Sequence, residues 1–416
     1  MKFSSLLFSI WIIPFIFSTS IGIAAEDDVH KDVLHINSSL TLKDVLNETI
    51  KLQPQQANLN SQQYGVTAKQ ALADSFLPDA PAITILHQND FLGSSRNERD
   101  YQATLELPLW LPNQREARAK VAELSALNLD ASQSALAIQT AGLLREAVWD
   151  VAFNENELAL AEAKYQSALT LEEKVKKSFQ AGEAAKTDWL LAQQDTLEAS
   201  KNKLLAQAEL MHARFRYKLV TGLNQIPKDF SEEKSSLDNY EQSPVWLAIL
   251  TKVHYAEEQR NLANIEKKEN IQVLINARNS QGAFDTQYNQ SMGLSIRIPF
   301  ATPARTTPIV AASEISLGQA LTEREELKRV LEAALHEAEH NLEVSELEQA
   351  LAKQHWGIAS ESLRLAEKAY ALGEHDLATL IRIKSQTFDA ERKYRAVQIQ
   401  YQWNIARYNQ AVGVLP

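Results

Sequence analysis

Leu105-Glu106-Leu107-Pro108-Leu109-Trp110-Leu111-Pro112-Asn113-Gln114-Arg115 is where an alternating pattern stops and a helical one begins. Its core, Leu107-Pro108-Leu109, returns 191 positions later as Ile298-Pro299-Phe300. The same offset carries Phe179-Gln-Ala-Gly182-Glu183 onto Tyr370-Ala-Leu-Gly373-Glu374, and Val220-Thr-Gly222 onto Ala411-Val-Gly413. Pro54 and Pro244 match at 190. One spacing held across separate landmarks means a tandem duplication, with a unit far longer than the ~20–50 residues of a solenoid repeat. The organisation expected is repeat 1 over 41–222, a linker over 223–243 and repeat 2 over 244–416.

Upstream of Trp110 the alternation is strict. Tyr101, Ala103, Leu105, Leu107 and Leu109 share one face, and Gln102, Thr104 and Glu106 the other. In repeat 2, Met292, Leu294, Ile296, Ile298 and Phe300 oppose Ser291, Ser295 and Arg297. A weaker strand precedes each: Ile83 and Ile85 in repeat 1; Ile271, Val273 and Ile275 against Gln272, Asn276 and Arg278 in repeat 2. These read as two hairpins of about ten-residue strands, the length that crosses a membrane in a tilted barrel. Lipid is expected on the Leu105, Leu107, Leu109, Leu294, Ile296, Ile298 face. Water is expected on Gln102, Thr104, Glu106, Ser295 and Arg297. Four strands cannot close a barrel, and open edges are not tolerated in lipid, so several copies must contribute; three give 12 strands.

Downstream of Asn113 the chain is helical. Residues 113–180 contain no Pro and only Gly142, and 309–372 has the same character. At about 1.5 Å per residue each rod is roughly 100 Å long, which implies a coiled-coil rod or a barrel of helices. The rods stop at Gly182 and Gly373, the usual left-handed helix end. Thr187-Asp188 and Asp376 offer side chains to start the return helices, 187–219 and 376–409. Each return arm is half the outgoing length. A further helix, 41–73 or 245–270, fills the remainder by end-to-end stacking. The fold class is thus α+β, with duplicated helical hairpins forming a helical barrel and four strands per chain contributing to a 12-stranded transmembrane barrel in a trimer.

Residues 1–25 read as an export signal: Lys2, an apolar run from Leu6 to Phe17, then Gly22-Ile23-Ala24-Ala25, with cleavage after Ala24 or Ala25. Residues 26–40 form an N-terminal tail. No Cys occurs, which excludes disulfides and thiolate metal sites. The net charge of −11 gives no reason to bind nucleic acid.

At this point the chain resembles the TolC-like outer-membrane efflux proteins. The run Leu105 to Arg115 is similar to that family's strand-to-helix exit. Phe179-Gln-Ala-Gly182 with Thr187-Asp188, and Tyr370-Ala-Leu-Gly373 with Leu380, are similar to its two hairpin tips, and Gly222 and Gly413 close the repeats. The Pro108 to Arg115 run resembles most the outer-membrane component of heavy-metal resistance-nodulation-division systems. The resemblance implies a homotrimeric duct in outer-membrane lipid, with a periplasmic tunnel docked on an adaptor (a membrane fusion protein) and an inner-membrane efflux pump. It implies no enzymatic activity and no cofactor. The exported substrates include heavy-metal cations as one option. Type I protein secretion and drug efflux are the alternatives, and a periplasmic coiled-coil scaffold is a distant one.

By the same resemblance Gly182, Glu183, Gly373 and Glu374 are the tips that touch the adaptor, and Thr104, Glu106, Ser295 and Arg297 line the barrel lumen. Six positions after the second tip Gly, where the family often has an acid, this chain has Thr379, with Arg382 three further on. Asp188, Asp376, Thr379 and Arg382 are therefore the candidates at the periplasmic mouth, with Glu374 nearby. Arg382 or Lys186 would hold neighbouring hairpins by exposed ion pairs worth only ~0–1 kcal/mol each.

His336-Glu337-Ala338-Glu339-His340 matches the zinc-protease pattern. A catalytic zinc needs a third protein ligand and a closed cleft, which a coiled coil does not supply, so the match is read as a decoy.

Overall fold

A computed structural model describes residues 33–300 and 302–416. The proposed signal, 1–25, lies outside the described residues. Repeat 1 contains helix α1 (Leu42–Leu52), helix α2 (Gln55–Asp74), strands β2 (Ala82–Asn89) and β3 (Arg99–Pro108), rod α3 (Gln114–Gln180) and return helix α4 (Lys186–Thr221). Repeat 2 contains α5 (Pro244–Glu266), β5 (Gln272–Gln281), β6 (Asn289–Arg297), rod α6 (Pro303–Ala371) and return helix α7 (Leu377–Val412). Short strands β1 (His35–Asn37) and β4 (Gln225–Pro227) lie in the tail and linker.

The rods run 67 and 69 residues, and each return helix 36. Gly222 and Gly413 end the return helices at φ 69° and 83°. Three details depart from the sequence expectation. The single helix over 41–73 is two helices, because Gln53 is extended ahead of Pro54, as the residue before proline prefers. Thr41 and Asp44 start α1 as a reciprocal capping box. Rod α6 begins at Pro303, earlier than 309: a Pro at the first position suits a helix start, and Pro308 is carried inside with the loss of one backbone donor. Finally, β1 and β4 pair in parallel, His35 opposite Gln225. Three-residue strands are too short to leave an alternation.

The sheet order is β2-β3-β5-β6, antiparallel throughout, so the two hairpins join at β3–β5 into one sheet across the duplication. On the helical side α3 packs on α4 and α7, and α7 on α6. This leaves α4 and α6 as the flanks. The largest buried cluster lies at mid-height. There Val45 and Leu46 of α1, Leu144, Val148 and Val151 of α3, Ala213 and Tyr217 of α4 and Ile226 of β4 meet. The Tyr217 hydroxyl donates to the Gln225 carbonyl at 2.8 Å, and burial pushes the phenol well above its ordinary value.

Buried Arg145 fixes the linker. It makes a bidentate pair with Glu232 (2.8 and 2.6 Å) and donates to Gln410 Oε1 and the Val414 carbonyl. Asn409 donates to the same Glu232 carboxylate. Rod, linker and chain end are thus held at one point. Among the described residues no helix is long and apolar enough to cross a membrane.

Candidate functional site: a two-faced sheet, two flanks and two tips

In an antiparallel ladder, residues directly opposite share a face. Thr104 lies opposite Thr84 and Asn276, and Asn276 opposite Gly293. Glu106 lies opposite Ala82 and Leu274, and Leu274 opposite Ser295. Gln272 faces Pro108 and Arg297. Thr104, Glu106, Ser295 and Arg297 therefore fall on one side of a single sheet, with Gln102, Asn276 and Arg278. The side is laced by hydrogen bonds: Asn276 Nδ2 donates to Thr104 Oγ1 at 2.9 Å, and Arg278 pairs with Asp100 at 2.9 Å. Leu86 and Leu274 are its large apolar exceptions, with small Ala82 and Pro108 at the helix end.

The other side carries Ile83, Ile85, Tyr101, Ala103, Leu105, Leu107, Val273, Ile275, Met292, Leu294 and Ile296. Ile83 is 71% exposed, Leu294 73% and Met292 82%. A soluble sheet would bury that side; here the protomer leaves it bare. Aromatic rings stand at both ends. His87 stacks on Tyr101 at 4.4 Å, with Tyr288 6.4 Å beyond. At the helix end Trp110 donates to the Phe76 carbonyl at 3.0 Å and lies under Arg118.

The flanking helices carry unpartnered apolar rows. On α4 these are Leu190, Leu197 and Leu204, with half-buried Met211 continuing the row; on α6 they are Leu365, Ile358, Leu351 and Val344. The spacing is a heptad on both. Taken as antiparallel rows they match one to one (190 with 365, 197 with 358, 204 with 351, 211 with 344) at a constant total of residue numbers. The helix ends at the tips, Lys186 and Ala371, fall within two residues of the same register.

Both tips are built alike. Gly182 and Gly373 have φ 81° and 75°, and a Cβ on either meets nothing within 4 Å. The N–H groups of Glu183 and Glu374 reach back to Ser178 and Ala369, 2.9 Å each. This is the helix stop expected of a left-handed Gly. Asp376 caps α7, accepting from the Thr379 N–H at 2.8 Å. The two Thr379 hydrogen bonds hold its carboxyl below the ordinary value, with His375 and Arg382 adding to them. Thr187 and Asp188 do not cap α4. Its cap is Ala185, whose side chain accepts no hydrogen bond, and the two residues sit inside the first turn.

The structure draws the two tips together. Leu171, Val175 and Ala192 of repeat 1 bury against Leu377 and Leu380 of repeat 2. The Tyr370 phenol is raised by burial and further by the charge of half-buried Asp188. Arg382 donates within its own helix, to Gln386 at 3.5 Å. Sequence reasoning missed a reciprocal pair of links just behind the tips: Lys384 Nζ donates to the Ser167 carbonyl at 3.0 Å, and Lys164 Nζ to Ser385 Oγ at 3.3 Å. Helical lysines give no sequence signal that separates such a link from a solvated face.

The zinc-protease pattern lies within rod α6. Glu337, the would-be base, acts on Arg407 of α7. That guanidinium is raised first by its Glu146 hydrogen bonds and more weakly by Glu337. Among the described residues no three His, Asp or Glu converge on a possible metal position.

No protein-family model matches the chain, and no curated protein sequence does either. Solved structures do. The outer membrane protein VceC from Vibrio cholerae superposes with TM-score 0.73 at 13% identity, over 90% of this chain and 96% of that one. The CmeC outer membrane channel of Campylobacter jejuni gives 0.71 at 12%, over 89% and 85%. CusC, studied for folding and transmembrane channel formation, gives 0.71 at 12%, over 94% and 96%. The chain has the TolC-like outer-membrane channel fold.

Proposed function

We propose that this chain is the outer-membrane duct of a tripartite efflux system. Three copies close a 12-stranded barrel in the membrane and a helical tunnel beneath it. The observation that carries this reading is the sheet: one polar face, one bare apolar face and unpaired edges at β2 and β6. Unsatisfied strand edges are not stable in lipid, so β6 of one copy pairs with β2 of the next. The flanks support the same closure, because the apolar row of α4 matches that of α6 in antiparallel register. Both contacts join repeat 1 of one copy to repeat 2 of the next. Such a head-to-tail contact forms a ring when its rotation closes.

In the assembled duct Thr104, Glu106, Ser295 and Arg297 line the barrel lumen, and the aromatic rings at the sheet ends sit at the two membrane interfaces. Asp188, Asp376, Thr379 and Arg382 surround the periplasmic mouth. Gly182, Glu183, Gly373 and Glu374 are presented to an adaptor that links the duct to an inner-membrane pump. The duct supplies shape and charge, and the pump selects the exported substrate, heavy-metal cations being the class suggested by the Pro108 to Arg115 run. A periplasmic scaffold gives no account of the bare apolar face.

Outer-membrane fractionation, heat-modifiable trimers on gels and conductance in planar bilayers are the expected results. A monodisperse, detergent-independent protein in the soluble periplasmic fraction would overturn the reading.

A further inference from the structure

His336 and His340 stand one helical turn apart on α6, ring centroids 4.5 Å from each other. Both are exposed in the protomer, the His340 side chain at 61%. They lie on the helix side away from Ala338 and Leu342, the residues α6 buries against Ile405 and Tyr408 of α7. The pair sits one turn beyond Val344, the last position of the matched apolar row, on the barrel side. One turn further up the same stripe, Glu332 accepts from the Tyr240 hydroxyl of the linker at 3.2 Å. Glu343 lies a turn below, its carboxylate 3.9 Å from His340 Nδ1. The two carboxylates inside the motif, Glu337 and Glu339, are exposed and form no ion pair with either histidine.

We propose that His336 and His340 form a binding site for one divalent transition-metal ion of the imidazole-preferring class, Cu²⁺, Ni²⁺ or Zn²⁺. Imidazole nitrogens suit these ions, and neutral histidines four residues apart on a helix converge on a shared ion. The two rings now meet edge to face, and both side chains are free to turn toward a common ion. The site offers two protein ligands, with the Glu343 carboxylate beside His340, and water fills the remaining positions. Affinity follows the usual order for nitrogen ligands, Cu²⁺ above Ni²⁺ and Zn²⁺. Because no third protein ligand closes the shell, the bound ion is exchangeable. The site lies on the linker-bearing side of the rod, apart from the residues assigned to lumen and mouth. Both ligands come from one chain, so the site does not need the trimer in order to form.

The test is equilibrium binding of Cu²⁺, Ni²⁺ and Zn²⁺, each alone, to the purified untagged chain in detergent, together with paramagnetic resonance of the Cu²⁺ form. One ion per chain with a two-imidazole signature is expected. His336→Ala and His340→Ala should each weaken binding at least about tenfold, since either change removes half of a chelate. His355→Ala, an exposed histidine elsewhere on α6, should leave it unchanged. Absence of binding, or binding that survives the His336→Ala/His340→Ala double variant, would overturn the site. Trimer migration on the same samples reports separately on the duct reading.

Discussion

Arg145 shows how one side chain holds distant parts of the chain. Its guanidinium is 1% exposed and Glu232 9%. A buried pair of this kind adds little net stability by itself, yet breaking it leaves an uncompensated charge, a loss of ~3–5 kcal/mol. Arg145→Ala should therefore destabilise by about that amount in denaturant unfolding. Arg145→Lys should recover only part, because a lysine cannot reproduce the bidentate contact. Glycines at the helix ends separate by their surroundings. Gly182→Ala costs only the left-handed penalty, about 1 kcal/mol. At Gly413 the same strain is joined by collision with the Ser243 side chain and Cα. Thermal melts should show Gly413→Ala as much the more damaging of the two.

At the scale of elements, the behaviour near the tips is set by a polar junction between α3, α4 and α7. Burial raises the Asp195 carboxyl more than Lys164 and Lys384 lower it, and burial pushes the Lys384 amine down against the pull of Glu367 and Asp195. A carboxylate raised in the folded state binds its proton more tightly folded than unfolded. Its destabilising effect is absent below the unfolded value, about 3.9, and appears as pH rises through the folded one. Acidification through that window should strengthen protection of 160–200 in hydrogen exchange, and Asp195→Asn should flatten the response. The flanks offer a second test. The chain has no native Cys, so a Leu204→Cys/Leu351→Cys double variant should oxidise into covalent trimers while either single variant stays monomeric on denaturing gels. Monomers from the double variant would mean that α4 and α6 of neighbouring copies do not meet.

At the scale of the whole molecule, the two faces of the sheet define inside and outside. A single Cys at Thr104 should react quickly with a water-soluble maleimide, and one at Leu105 slowly, in the membrane-embedded protein. Equal rates at both positions would exclude a membrane barrel. Arg placed at Leu105, in the apolar band, should destabilise by ~2–4 kcal/mol, and less at Leu107 near the rim.

Much of this architecture was legible in the residues. Helical spacing, alternation and left-handed glycines are local rules, and the 191-residue offset showed that the strand exits and helix-ending glycines were each used twice. By itself the sequence determined the two long hairpins with their tips and the two-faced character of each strand pair. The joining of those pairs at β3–β5 was decided only by tertiary structure. So were the Lys164–Ser385 and Lys384–Ser167 links, and the Arg145–Glu232 lock spanning 87 residues. Periodicity tells which side of an element is buried; which distant element covers it depends on how long-range packing and buried polar groups are satisfied together.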